Sequence, residues 1–238
     1  MRKILITNDD GIRADGIIRL ARAAKKFGDV TVVAPRSQRS AMSHSITLRT
    51  YIDLEKVEFP VEGVEAYACS GTPADCVRIG CLNVIENGPD VVFSGINFGY
   101  NCATDLQYSA TAGAAFEAAF QGISAVAFSE HMSDCHEVTD KYLEEIIEEL
   151  IDKNPGKNRI WNVNFPGCSV AECKGIKRDV TVSSGSVFTD RYDQKKIDEV
   201  TTRYMVNGIF EPEGEEGSDL KAIFDNYVSV GIARNIGD

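Results

Sequence analysis

The feature that most constrains this sequence is the order of its first three segments. An apolar stretch over residues 3–7 precedes a segment, 15–27, whose apolar side chains recur at helical spacing: Ile17, Leu20, Ala21, Ala24 and Phe27. Gly28 ends that pattern, and a second apolar stretch covers residues 30–34. A strand, a helix and a strand in this order favour parallel pairing of the two strands. The pattern predicts an α/β protein with a doubly wound, mostly parallel sheet.

The same alternation continues through most of the chain. Further strands are predicted at 91–93, 125–128 and 160–164, with helices starting at Thr72 and Thr111 and a third over 138–152. Residues 46–54 and 64–68 alternate between apolar and polar, which is typical of strands with one exposed face. Beyond Ser184 the alternation fades into a polar, irregular stretch with a final strand. We therefore predict a core over 1–184 and a C-terminal extension over 185–238.

Composition limits where the protein works and what it binds. The 238 residues carry a net charge of −11, which disfavours binding to polymeric nucleic acid. Nothing resembles a signal peptide, and no apolar run reaches the ~18 residues of a membrane span. Seven cysteines, most in apolar segments, are typical of reduced thiols, although Cys168 and Cys173 in a polar loop could be a metal pair. We expect a cytoplasmic protein with no membrane partner.

Three predicted strands end in polar residues. The first ends in Asn8-Asp9-Asp10-Gly11, the second leads to Ser40, and a later one ends at Asn97. Ligands of an open parallel sheet bind outside the carboxyl ends of its strands, so these side chains are predicted to converge. Asp9, Asp10, Ser40 and Asn97 would form an all-oxygen site suited to Mg²⁺, Mn²⁺ or Ca²⁺. The alternative is that Asn-Asp-Asp-Gly is only a turn.

Two further features suggest contacts with an anion. The Ser/Thr-rich segment 108–114 opens a predicted helix, and free N–H groups at a helix start attract anions, although taken alone the segment favours a simple N-cap. His44 follows Ser40 on the same loop and could bind phosphate or protonate a leaving oxygen; a structural hydrogen bond is the alternative. His131 and His136, in an acidic loop, are predicted to be solvated.

Taken together, these segments resemble the SurE family, the stationary-phase survival proteins that act as 5′-nucleotidases. The matching stretches occur in the family order: ILITNDDGI (4–12), VVAPRSQRSAMSHSITL (32–48), GTPADCV (71–77), PDVVFSGINFGYN (89–101), YSATAGAAFEAA (108–119), NVNFP (162–166) and GSDLKAIFDNYVSV (217–230). The resemblance covers nearly the whole chain and implies a Rossmann-like core.

The resemblance also implies site residues. It implies one divalent metal ion per subunit, Mg²⁺ or Mn²⁺, with ligands at Asp9, Asp10, Ser40 and Asn97. It implies phosphate contacts from Gly95, Asn97, Asn101, Ser109 and Thr111, with Asp9, Asp10 and His44 as candidate catalytic residues. Nucleoside monophosphates are the implied substrates, and a C-terminal arm is implied to build a homodimer or homotetramer.

The chain departs from the family pattern at Ala110, where the family usually has Gly, at Asp15, often Pro, and at Ser218, usually Thr. A methyl group at Ala110 could crowd the phosphate. The predicted reaction is metal-assisted hydrolysis of nucleoside 5′-monophosphates, with 3′-monophosphates and short polyphosphate as further candidate substrates. An aspartyl-phosphate intermediate is the mechanistic alternative. A phosphate-responsive regulatory domain and a binding protein without turnover are the functional alternatives.

Overall fold

A computed structural model describes residues 1–210, 212 and 214–236. One nine-stranded sheet forms the centre of the fold, in the order β3-β4-β2-β1-β5-β6-β7-β13-β8. The strands are β1 (Lys3–Thr7), β2 (Asp29–Pro35), β3 (Leu54–Val57), β4 (Glu65–Cys69), β5 (Val91–Phe98), β6 (Ser124–Glu130), β7 (Arg159–Phe165), β8 (Ile176–Val180) and β13 (Val228–Arg234). Only β3 with β4 and β13 with β7 pair antiparallel within it. The predicted α/β fold with a mostly parallel sheet is confirmed.

Helices cover both faces of this sheet. The helices are α1 (Asp15–Ala24), α2 (Pro73–Ile79), α3 (Asp105–Tyr108), α4 (Ala110–Phe120), α5 (Glu137–Leu150) and α6 (Asp219–Phe224), with a π-helical turn at Gly80–Val84. On one face, the apolar sides of α1 and α5 pack on the sheet, including Ile17, Leu20 and Ile146. On the other, α2 and the alanine-rich α4 pack on Leu5, Val33 and Val92. The central strands β1, β5 and β6 are therefore buried on both sides, as in doubly wound proteins, whereas the edge strands β3 and β8 are partly exposed.

Helix α2 begins where its sequence predicts. The Thr72 hydroxyl accepts from the Asp75 N–H at 3.1 Å, and the Asp75 carboxylate accepts from the Thr72 N–H at 2.9 Å. This reciprocal pair is a capping box, and Pro73 occupies the first turn where its missing N–H has no consequence. The rigid start of α2 matters for the site because Asp75 also accepts from the Thr47 N–H and hydroxyl, which fixes the loop after β2.

The strand predicted over 46–54 is wrong. Residues 46–53 form no strand, and β3 starts only at Leu54. Of the apolar side chains that produced the alternating pattern, Ile46 and Leu48 are exposed, Leu48 to 80%, whereas Ile52 and Leu54 pack partly on the core. Alternation predicts a strand only where a neighbouring strand and a buried face exist, and this stretch is instead held by side chains of α2.

The chain leaves the main sheet after β8, and the predicted division at Ser184 stays a prediction. Beyond Ser184, β9 (Phe188–Thr189) pairs with β12 (Ile209–Phe210), and β10 (Tyr192–Lys196) pairs with β11 (Thr202–Val206), both outside the main sheet. The chain then returns through α6 to β13, which lies between β7 and β8. Because β9 pairs with β12 around the β10–β11 pair, these strands form one long hairpin inserted between β8 and α6, and the last strand lies in the main sheet. No helix of the described residues is long and apolar enough to span a membrane.

Candidate functional site

The candidate site lies where the strand order changes direction. Strand β1 has β2 on one side and β5 on the other, and the chain builds outward in both directions from this pair. The loops that follow β1 and β5 therefore diverge and leave a crevice at the carboxyl ends of the strands, the usual ligand position in open α/β sheets. The polar strand ends predicted from the sequence meet at this crevice.

The acid pair sits in a tight turn after β1. Asn8 closes the turn, because its Nδ2 donates to Gly11 O at 2.9 Å and its Oδ1 accepts from the Gly11 N–H at 3.2 Å. Asn-Asp-Asp-Gly is therefore a turn, but one that leaves the side chains of Asp9 and Asp10 free of the turn's own hydrogen bonds. The segment can therefore be a turn and still present Asp9 and Asp10 as ligands.

Asp9 is the buried member of the pair. It is only 3% exposed, and its Oδ1 accepts a hydrogen bond from the Thr111 hydroxyl on α4. Burial raises the pKa of Asp9 to about 6, although the Thr111 bond lowers it, and the Asp10 charge raises it further. Burial also raises the pKa of Asp10, which accepts from the Phe98 N–H at 3.0 Å and from Gln38 at 3.3 Å.

Neither carboxylate of the pair has a cationic partner among the described residues. Two adjacent acids without compensation are the arrangement that a divalent cation neutralises, so the donor set fits a hard metal ion. No group of three or more His, Cys, Asp or Glu side chains in the described residues has metal-binding geometry. A metal here would accordingly depend on the oxygen atoms of Ser40 and Asn97 besides the two carboxylates. The same finding gives no support to a metal pair at Cys168 and Cys173.

Backbone hydrogen bonds hold Ser40 beside the acid pair. The N–H of the preceding Arg39 donates to Asp9 O at 2.6 Å, and the Ser43 N–H donates to Tyr108 O at 3.0 Å. The loop is thus tied to β1 on one side of Ser40 and to the start of α4 on the other. Gly113 allows this close approach, since a Cβ there would lie 2.6 Å from Ser43 O. Ser40 itself is exposed.

The end of β5 contributes Gly95 and Asn97. Asn97 Nδ2 donates to Gly99 O at 2.8 Å, so its Oδ1 is the amide atom available for a cation. Gly95 is required by packing and conformation together: its φ is +138°, and a Cβ would lie 2.3 Å from Phe128 O. The β5–β6 register shifts between Ser94 and Asn97, which turns the strand end toward the crevice.

Helix α4 points its N-terminus at the same place. Ser109, and not the predicted Thr111, is its N-cap and accepts from the Ala112 N–H at 3.0 Å. The first N–H groups of a helix have no partner within it, and this end of the dipole is positive. Because Thr111 bonds to Asp9, the helix start is fixed next to the acid pair. The Thr111 side chain, 0% exposed, contacts the carboxylate, so in this arrangement it orients Asp9.

His44 lies away from this cluster. Its Nε2 is 2.8 Å from Glu117 Oε2, and its ring stacks on Phe120 with 5.2 Å between ring centroids. Glu117 is six residues beyond Thr111 along α4, which is ~9 Å of helix. Burial alone would raise the pKa of Glu117, but hydrogen bonds from His44 and Gln121 lower it. This geometry favours the structural hydrogen bond over a catalytic role for His44.

The remaining histidines are not simply solvated, contrary to the prediction. The ring of His131 packs on Tyr100 at 5.3 Å, and His136 Nδ1 lies 3.1 Å from Glu130 Oε1, a carboxylate buried with Arg19. Both face interior groups because the loop folds back over the sheet edge, which local polarity does not reveal.

Sequence reasoning missed the residues that hold Asn101. Asn101 is 4% exposed, and its backbone and side chain bond to Asn164, Asn162 and Ser129. The available signal was two asparagines inside the otherwise apolar strand 160–165, where a buried amide needs partners.

The fold and the site together define a class: a doubly wound α/β protein with a pair of adjacent carboxylates and a helix start at its topological switch point. A family model described as "Survival protein SurE" matches residues 4–189. The chain belongs to the SurE family.

Individual relatives align over nearly their whole length. The 5′-nucleotidase SurE of Thermosipho melanesiensis is 40% identical over 230 residues, 95% of this chain and 89% of the relative. That of a Thermoanaerobacter species is 40% identical over 234 residues, 96% and 90% of the two chains. The crystal structure of the SurE protein from Aquifex aeolicus superposes with a TM-score of 0.84 at 31% identity, covering 99% of this chain and 95% of that one.

Proposed function

We propose that the protein is a divalent-metal-dependent phosphomonoesterase that hydrolyses nucleoside 5′-monophosphates to nucleoside and phosphate. Relatives described as 5′-nucleotidases support the reaction class. The observation that carries the proposal is the hydrogen bond between Thr111 and Asp9. It joins the positive end of α4 to an uncompensated acid pair, so cation-binding and anion-binding groups adjoin, as phosphoryl transfer requires.

In this proposal, Asp9, Asp10, Ser40 and Asn97 hold one Mg²⁺ or Mn²⁺ per subunit. Carboxylate, hydroxyl and amide oxygens are the ligands these ions prefer. When bound, such an ion supplies Lewis acidity toward the phosphoryl group and activates water for attack. Asp10 is more accessible than Asp9, and it is the carboxylate better suited to orient the attacking water.

The phosphate is bound by N–H and hydroxyl donors. The free N–H groups at the start of α4 and the Ser109 hydroxyl face the substrate oxygens, and they stabilise the charge of the transferring group. Asn101 Nδ2 donates one hydrogen to Ser129 at 2.8 Å, and its second hydrogen is the one offered to phosphate. Gly95 allows the approach by having no side chain. Thr111 fixes Asp9, and His44 has no part in the reaction.

A phosphoryl-accepting regulatory domain has less support. Such a domain needs an acceptor Asp at the end of a central strand and a Lys at the end of a later one. The corresponding positions in β5 and β6 are Ser94-Gly95 and Ser129-Glu130. A binding protein without turnover would use the same groups, so only an activity assay separates it from an enzyme.

Phosphate release from AMP and GMP tests the proposal. Purified protein with Mn²⁺ should release phosphate, excess chelator should abolish release, and added Mn²⁺ should restore it. Asp10→Asn is the matched variant, because it keeps the size and one oxygen of the side chain and removes the charge. Turnover that survives chelation, or that is unchanged in Asp10→Asn, would contradict metal-dependent hydrolysis. 3′-Monophosphates and short polyphosphate, assayed in parallel, define the substrate range.

We further propose that the protein is a homodimer or homotetramer. The hairpin of β10 and β11 exposes a run of apolar side chains, with Tyr192, Tyr204, Met205 and Val206 between 58% and 71% exposed. Tyr192, Tyr204 and Val206 share one face of this hairpin, and Met205 lies on the other face. Exposed apolar side chains of this kind are typical of a surface that another subunit covers. With a net charge of −11, small nucleotides are more suitable ligands than polymeric nucleic acid.

A further inference from the structure

The loop between β5 and α3, residues 99–104, has an irregular backbone held by groups from outside it. We call it the Asn101 loop. The Gly99 N–H donates to Glu130 O at 2.9 Å at the end of β6, and the Ala103 N–H donates to the Asp219 carboxylate at 3.2 Å on α6. Between these two attachments lies Asn101, the proposed phosphate contact. Its position therefore depends on whatever holds the middle of the loop.

Two side chains from β7 hold that middle, and Asn164 makes two of the three bonds. Asn164 Oδ1 accepts from the Asn101 N–H at 2.8 Å, while Asn164 Nδ2 donates to Asn101 O at 3.2 Å. The side-chain amide thus pairs with both backbone groups of Asn101, as a neighbouring strand would. Asn164 is 0% exposed and Asn101 is 4% exposed, so water does not replace these bonds readily.

The two bonds are not equally replaceable. Asn101 O has a second donor, since Asn162 Nδ2 bonds to it at 2.8 Å. The Asn101 N–H has no acceptor besides Asn164 Oδ1 among the described residues. Loss of the Asn164 amide would therefore leave a buried N–H unpaired, which favours movement of the loop toward water.

We propose that Asn164 is a positioning residue for phosphate binding, acting through the backbone of Asn101. The inference rests on the proposed function, because it takes Asn101 as a contact of the substrate phosphate. Asn164 does not contact the substrate; it holds the Asn101 side-chain amide, together with Ser129, in one orientation toward the crevice. Its loss should weaken phosphate binding more than it slows the chemical step.

Three alanine variants on the neighbouring strands β7 and β13 test this proposal. For each variant we would measure KM and kcat for AMP, the inhibition constant of inorganic phosphate, and hydrogen exchange over residues 99–104. Asn164→Ala should raise KM and the phosphate inhibition constant by about ten-fold, with a smaller loss of kcat and faster exchange at Asn101. Asn162→Ala removes only the redundant donor, so its effect should stay within about two-fold.

Ser229→Ala is the matched control. Ser229 pairs with Asn164 across the β7–β13 ladder, is 0% exposed, and has a buried hydroxyl that finds no hydrogen-bond partner in the described part of the chain. Its removal should leave the phosphate inhibition constant unchanged. If Asn164→Ala fails to fold, Asn164→Leu replaces it; leucine keeps the volume of the side chain at this 0% exposed position but lacks the acceptor for the Asn101 N–H, so phosphate binding should still weaken.

The outcomes separate the two proposals. Wild-type protein that neither binds phosphate nor releases it from AMP would contradict the proposed function. Wild-type activity together with unchanged phosphate inhibition and unchanged loop exchange in Asn164→Ala would overturn the positioning role alone. A variant with lower kcat and lower melting temperature but an unchanged phosphate inhibition constant would also overturn it, since that pattern indicates a purely structural residue.

Discussion

The Asp9 carboxylate should make the metal-free protein less stable than it would be without that charge. Its pKa is raised from 3.8 to about 6, with burial as the largest cause. Asp9→Asn tests this directly, because asparagine keeps the size of the side chain and an Oδ1 that accepts the Thr111 hydroxyl. The Arg39 N–H bonds to the backbone of Asp9 and is unaffected.

The magnitude follows from the two pKa values. Below pH 3.8 the carboxyl group is protonated in both folded and unfolded chains, so it contributes no pH dependence. As the pH rises from 3.8 through about 6, the unfolded chain loses the proton first, and folding stability falls. Above a pH of about 6 the loss of folding stability caused by the charge is complete and amounts to about 3 kcal/mol. We expect Asp9→Asn to raise the free energy of unfolding by about that order at pH 8, and by little at pH 3.5.

Urea denaturation in the presence of a chelator, at several pH values, measures this difference. In a parallel series without chelator, saturating Mn²⁺ should stabilise the wild-type protein, because an ion that binds only the folded state shifts the unfolding equilibrium. Asp9→Asn should lose that stabilisation together with activity. An Asp9→Asn protein that is no more stable than wild type at pH 8, or equally stabilised at pH 3.5, would refute the reasoning.

Four further outcomes are expected. Ser109→Ala should raise the inhibition constant of phosphate by an amount equivalent to roughly 1.5–3 kcal/mol, the value of a hydrogen bond to a charged group; an unchanged constant would make Ser109 only a cap. Ala110→Gly should stay active and lose roughly 0.5–1 kcal/mol of stability, because Ala110 is not among the residues with positive φ; a collapse of activity would show that the site depends on the methyl group. His44→Gln should keep kcat within about two-fold, and a larger loss would restore a catalytic role. Replacing residues 192–206 by a short Gly-Ser turn should convert the oligomer to a monomer by light scattering, whereas an oligomer that persists would move the interface to the core.

The order of secondary structure could be predicted because its signals are local. The apolar spacing of α1, the capping residues of α2 and the short apolar strands depend on neighbours a few residues apart, where helix and strand periodicity act directly. The crevice followed from the same information, since a strand–helix–strand order fixes which ends of the strands lie together. Asp9, Asp10 and Asn97 were identified for this reason.

Local sequence patterns do not show which residues of distant segments contact each other. His44 bonds to Glu117, 73 residues later, and Thr111 bonds to Asp9 across 102 residues. The same residue types permit many such pairings, and only packed helices and strands decide which atoms come within hydrogen-bond distance. For this reason the sequence left two roles open for His44.

Sequence alone thus determined the α/β alternation, the start of α2 at Thr72 and the acidic strand end, each set by local periodicity and hydrogen-bonding chemistry. Tertiary structure decided that residues 46–53 form no strand, because no neighbouring strand pairs with them. It also decided that β13 lies between β7 and β8, which brings the end of the chain into the core. Finally, it placed Asn164 against the backbone of Asn101, 63 residues apart, where a buried N–H needs an acceptor that no neighbour in sequence provides.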